Sequence, residues 1–183
     1  MFEKLKYLNN PLYYENIHKH YLFFKKEIIS KTKEKISKNY FKASLQSILE
    51  MLHYLFLHDI SIFKESIKVV DKNCVKSFIY KLLIISISAQ FASDELPHID
   101  DTNHKKIVST ISEVFEIKEK DVENSIEENM NLFGNKKLYE NLYTFFSEKL
   151  KREKDLEESI TFSILLNQMI NDCILKSKKL LNR

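Results

Sequence analysis

One glycine and two prolines in 183 residues leave almost no positions for tight hairpin turns. A β-sandwich or a doubly wound sheet needs such turns about every dozen residues, so both are excluded and an all-α fold follows. Arginine is as scarce. Only Arg152 and Arg183 occur among 29 basic residues, which removes the usual bidentate reader of base edges from most of the chain. Two cysteines, Cys74 and Cys173, stand far apart in helical patterns. That placement implies neither a zinc knuckle nor a disulfide framework, and buried free thiols are expected. A glycine-rich phosphate loop, a CxxC pair and an HExxH motif are all missing, so nucleotide hydrolysis and zincin chemistry have no support.

What the chain does have is lysine, glutamate, leucine, isoleucine and asparagine, with hydrophobic residues at 44%. This length buries one core well and is short for two. Residues 1–183 are therefore expected to form a single helical domain, with basic N-terminal helices over 1–73 and a central helix and its partners over 74–183. The N-terminus MFEKLKYLNNPLYY lacks the apolar run and cleavage site of a signal peptide. From Val75 to Ala92 the apolar stretch approaches spanning length, but Lys76 and Lys81 interrupt it and about 20 clean residues are needed. A cytoplasmic protein without membrane insertion is expected.

The segment FIYKLLIISISAQFA, residues 78–92, is the most continuously apolar in the chain. Apolar on every side for about four turns, it has no solvent face and is predicted to be a central helix over 74–92. Around it the pattern predicts about eight helices in a compact orthogonal bundle. Tyr14, Ile17, Tyr21, Phe24 and Ile28 form one stripe of a helix over 12–37, with lysines on its other side. Phe41, Leu45, Ile48, Leu49, Leu52, Leu55 and Phe56 mark a second helix over 40–57. Asp59 or Ser61 then caps a short one through Phe63, Ile67 and Val70. After the loop 93–101, Asp100 or Asp101 caps an amphipathic helix carrying Ile107, Val108, Ile111, Val114 and Phe115. Ile117 and Lys118 turn the chain into a short acidic helix with Val122, Ile126 and Met130, and Gly134 is expected at its left-handed C-cap. Leu138 to Leu150 mark a helix over 136–151, and Phe162, Leu165, Leu166, Met169, Ile170 and Cys173 the buried side of the last, over 156–181.

Charge is unevenly spread. Residues 1–43 hold ten lysines against four acids, whereas residues 93–131 hold eleven acids against four lysines, so the fold can present two opposite poles. Within the acidic pole, Asp94, Glu95, His98, Asp100, Asp101 and His104 are ligand types suited to calcium, manganese or zinc, and Asp100 and His104 lie four apart on one helical face. Asp94, His98, Asp100, Asp101 and His104 are thus candidate ligands for a divalent metal. Against this, the loop lacks the alternating oxygens, central glycine and distal glutamate of an EF-hand, and a solvated helix start explains the same residues. The basic third could bind phosphates, but its aromatics fall on the apolar stripe and are expected in the core, so nucleic acid is not the favoured partner. His53 or His58 beside Asp59 could suggest an acid/base pair; no serine or cysteine nucleophile accompanies it.

The order LLIISISAQFASDE, LPHIDD, HKKIVSTISEVF, EIKEKDVENSIEEN resembles the tellurite-resistance protein B (TerB-like) helical family, over about residues 78–181. That pattern is an apolar helix, a short Asp-Gly loop, an amphipathic helix ending near phenylalanine and an acidic helix. The resemblance implies a stress-related helical module and carries over Asp94 alone as a possible metal ligand. Here Glu95 stands in place of the glycine, Pro97 lengthens the loop, and Asn103 or His104 replaces the expected glutamate.

Complete amphipathic patterning without a catalytic cluster makes a non-enzymatic helical interaction module the expected function, with a protein partner or self-association. The alternatives are a metal- or ligand-binding protein using loop 94–104 and a nucleic-acid-binding protein using the basic N-terminal helix.

Overall fold

The computed structural model describes residues 11–57, 72–132 and 156–182. They form six helices and no strand: α1 (Pro11–Lys31), α2 (Lys35–Leu57), α3 (Lys72–Ala92), α4 (Asp101–Phe115), α5 (Glu119–Leu132) and α6 (Leu156–Leu181). The count among the described residues is six, not about eight. The segments expected as helices over 59–70 and 136–151, and the expected cap at Gly134, lie outside the described residues.

The expected central helix is central. Every residue from Leu82 to Gln90 is buried, because α3 is packed by α1, α2, α5 and α6. The segment Val75–Ala92 is apolar and long enough to cross a membrane by composition, yet 72% of it is buried inside the protein. It is the core of a helical bundle.

One expected boundary moves. The helix expected over 12–37 ends at Lys31, the break falls at residues 32–34, and the helix expected from 40 starts five residues earlier, at Lys35. The cause is local. Buried Thr32 turns both its hydroxyl (2.6 Å) and its backbone N–H (3.0 Å) onto the Ile28 carbonyl and completes the last turn of α1. The Lys38 N–H then reaches the Glu34 carbonyl at 2.9 Å and opens α2. The polar run KTKEK offers no apolar side chain that would hold one straight helix against the core.

Helical periodicity predicts the buried faces well. Ile17, Tyr21, Phe24 and Ile28 of α1 are buried, as are Phe41, Leu45, Ile48 and Leu52 of α2. Ile107, Val108, Ile111 and Phe115 of α4 join the same core, as do Phe162, Leu165, Leu166, Met169, Ile170 and Cys173 of α6. At the meeting of α1, α3 and α4, the Phe115 ring stacks on Phe24 with centroids 4.9 Å apart and lies 5.4 Å from Tyr80. Such ring pairs add about 0.5–1.5 kcal/mol beyond the area they bury. Past Phe115 the helix closes on Glu116 in the left-handed region (φ 58°), with the Ile117 N–H on the Ser112 carbonyl. A non-glycine residue is disfavoured there, and the Glu116 carboxylate is held by Lys76 at 2.6 Å.

Candidate functional site

The acidic loop is anchored at three points. Leu96 is buried, the Tyr40 hydroxyl donates to the Pro97 carbonyl at 3.2 Å, and buried Asn103 accepts from the Ser37 hydroxyl at 3.0 Å. Of the two candidate caps, Asp100 is the one used. Its two carboxylate oxygens accept the Asn103 backbone N–H (2.7 Å) and side-chain amide (2.9 Å). The Asn103 backbone N–H, foremost, holds the Asp100 carboxyl below its ordinary value.

The other candidate ligands are dispersed. Asp94 and His98 are exposed, Asp101 is exposed in the first turn of α4, and half-buried His104 sets its ring 5.3 Å from Phe91. Glu95 pairs with Lys178 of α6 at 3.1 Å. Among the described residues no three His, Cys, Asp or Glu side chains gather into a group that could hold a metal ion. The proposed acid/base pair has the same fate in part: His53 is half-buried on α2, while His58 and Asp59 lie outside the described residues. Burial, then the neighbouring His18, lowers the His53 pKa.

Sequence reasoning missed a buried polar knot that ties α2, α3 and α6 together. The Gln90 amide nitrogen donates to the Ser44 hydroxyl at 2.7 Å and to the Ser86 carbonyl at 3.1 Å, and the Ser177 hydroxyl donates to the Gln90 carbonyl oxygen. Cys173 lies 3.6 Å from Ser44 and donates to the Ser86 carbonyl at 3.8 Å. The signal was present. Ser86 and Gln90 are spaced i, i+4 inside the most apolar helix, and Cys173 and Ser177 repeat that spacing on α6. All of these side chains are sealed from solvent, and burial pushes the Cys173 thiol up to about 12, so the knot locks helix register and offers no nucleophile.

The second missed feature is on the outside. Ile160, Ile164, Asn167, Gln168, Asn171 and Leu175 are all exposed on one side of α6, spaced so that they share a stripe roughly 22 Å long. Ile160, Ile164 and Leu175 are 52%, 54% and 50% exposed. None of the six carries a charge, in a chain where 30% of residues do.

Compared with protein-family models, curated proteins and solved structures, the chain finds no match. Function is therefore read from the chain's own surfaces.

Proposed function

We propose that the chain is a non-enzymatic helical interaction module whose working surface is the outer stripe of α6, and that its first partner is a second copy of itself. One observation carries this: the stripe is self-complementary. In antiparallel pairing about a two-fold axis passing between Asn167 and Gln168, Ile160 meets Leu175, Ile164 meets Asn171, and the two central amides meet each other. Such an isologous contact repeats each pairing twice. It also brings no like charges together. The side chains most suited to chemistry are already engaged, since Cys173 is sealed, the Tyr21 hydroxyl is given to the Leu45 carbonyl and Asp100 caps α4.

The TerB-like resemblance of residues 78–181 belongs to the same proposal and would make the module stress-related. It rests on the order of segments and gives no further residue a role.

Sedimentation velocity over a range of concentrations tests the reading. The wild-type chain is expected to dimerise, and Ile164→Asp, which buries a carboxylate against Asn171 of the other copy at two places in the interface, to be monomeric with an unchanged helical circular-dichroism spectrum. A wild-type chain that stays monomeric at every concentration, or an Ile164→Asp chain that dimerises as before, overturns it.

A further inference from the structure

We propose that the corner where α1 turns into α2 docks on an anionic phospholipid surface. This inference is independent of the α6 stripe. A recess of about 820 Å³ opens at this corner, lined by Leu22, Lys25, Lys26, Ile29, Ser30, Thr32, Lys33 and Lys38. Four lysines line it, no carboxylate does, and Leu22 and Ile29 are its apolar lining.

The nearby acids are occupied on the other side of the corner. Glu34 pairs with Lys106 of α4 at 2.6 Å, and Glu113 of α4 pairs with Lys31. The positive charge of Lys31 is further favoured by Glu27. Charge is thus sorted across the turn. Mixed pairs face α4, while among the described residues Lys25, Lys26, Lys33 and Lys38 take part in no ion pair.

Beside the recess two large apolar side chains stand in the open. Leu22 is 46% and Phe23 is 53% exposed, and they share the outward face of α1 with exposed Lys19 and Lys26, at spacings of three and four. Lysines flanking exposed leucine and phenylalanine are the chemistry of a helix lying in a headgroup layer. The rings and branched chains enter the acyl boundary, and the ammonium groups meet the negative lipids. A nucleic acid would use the lysines and could stack a base on Phe23, but it would leave Leu22 and Ile29 without a partner, and no arginine accompanies the lysines to read base edges. Docking is peripheral, because α3 is committed to the core.

Co-sedimentation of the full chain with phosphatidylcholine vesicles, with and without phosphatidylserine, tests this. Binding is expected only with phosphatidylserine and should weaken steeply as salt is raised. Lys25→Glu with Lys26→Glu and Lys33→Glu should lower the partition coefficient by more than about tenfold. Leu22→Ser with Phe23→Ser should lower it several-fold while keeping the salt dependence. These positions are exposed, so circular dichroism should be unchanged in both variants. Ile164→Asp should still bind, which separates this surface from that of α6. No sedimentation with phosphatidylserine vesicles at low salt overturns the proposal. It is overturned equally if the Leu22/Phe23 variant binds vesicles as wild type while a single-stranded oligonucleotide binds more tightly, which would make the corner a nucleic-acid site.

Discussion

The Gln90 amide of α3 donates to the Ser44 hydroxyl of α2 at 2.7 Å, while its carbonyl oxygen accepts from Ser177 of α6. One side chain thereby bridges three helices, beside the Cys173 contacts to Ser44 and Ser86 and the Lys176–Glu50 pair that also join α6 to its neighbours. Gln90→Ala would leave the Ser44 and Ser177 hydroxyls without that partner and open a void, at a cost of about 2–4 kcal/mol. Replacing the whole group, with Gln90→Leu, Ser44→Ala and Ser177→Ala together, should recover most of the loss. Urea unfolding of the single and triple variants checks this. A triple variant no more stable than Gln90→Ala would show that the hydrogen bonds themselves, and not the orphaned polar groups, set the stability.

Cys173 shares this knot, and its thiol is pushed up to about 12, by burial first, with Ser44 and Lys176 pulling the other way. The thiolate is the reactive form. At mildly alkaline pH, iodoacetamide should therefore modify Cys173 in the folded chain slower than in urea by a factor on the order of a thousand or more. Peptide mapping by mass spectrometry distinguishes it from Cys74. Equal rates in buffer and urea would place the thiol at the surface.

The helices were legible in the sequence because their apolar residues recur at helical spacing. On α6 the six residues from Phe162 to Cys173 named as its inner side are all buried. Two kinds of feature were not legible. The break after Lys31 falls in the polar run KTKEK, which carries no apolar residue to mark a helical face and so gives periodicity nothing to register. The surfaces were hidden for the opposite reason. Phe23 sits beside Phe24 in a stretch of alternating aromatics and lysines, and only the packing separates the exposed ring at 53% from the buried one at 2%. The acidic loop misled because ligand-type residues close in sequence are also what a capped helix start requires. Asp100 serves the cap, and its neighbours remain apart.

That cap gives the last prediction. The folded Asp100 carboxyl is held below its ordinary value, chiefly by the Asn103 backbone N–H, so the unfolded chain binds this proton more readily. Its contribution to stability is present above the ordinary carboxylate value and is lost as pH falls through the folded one. Asn at an N-cap keeps an accepting oxygen without titrating, so Asp100→Asn should melt with a weaker dependence on acid than wild type, while Asp100→Ala should melt lower even at neutral pH. A divalent ion would have to share the Asp100 oxygens with the two Asn103 hydrogen bonds, and the exposed Asp94 and His98 supply no preformed shell around it. Millimolar calcium, manganese or zinc should therefore leave the melting midpoint unmoved, as should Asp94→Ala and His98→Ala. A midpoint that rises with metal in the wild type, and fails to rise once Asp94 or His98 is replaced, would mean that the loop rearranges into a metal site and that the cap is only its empty state.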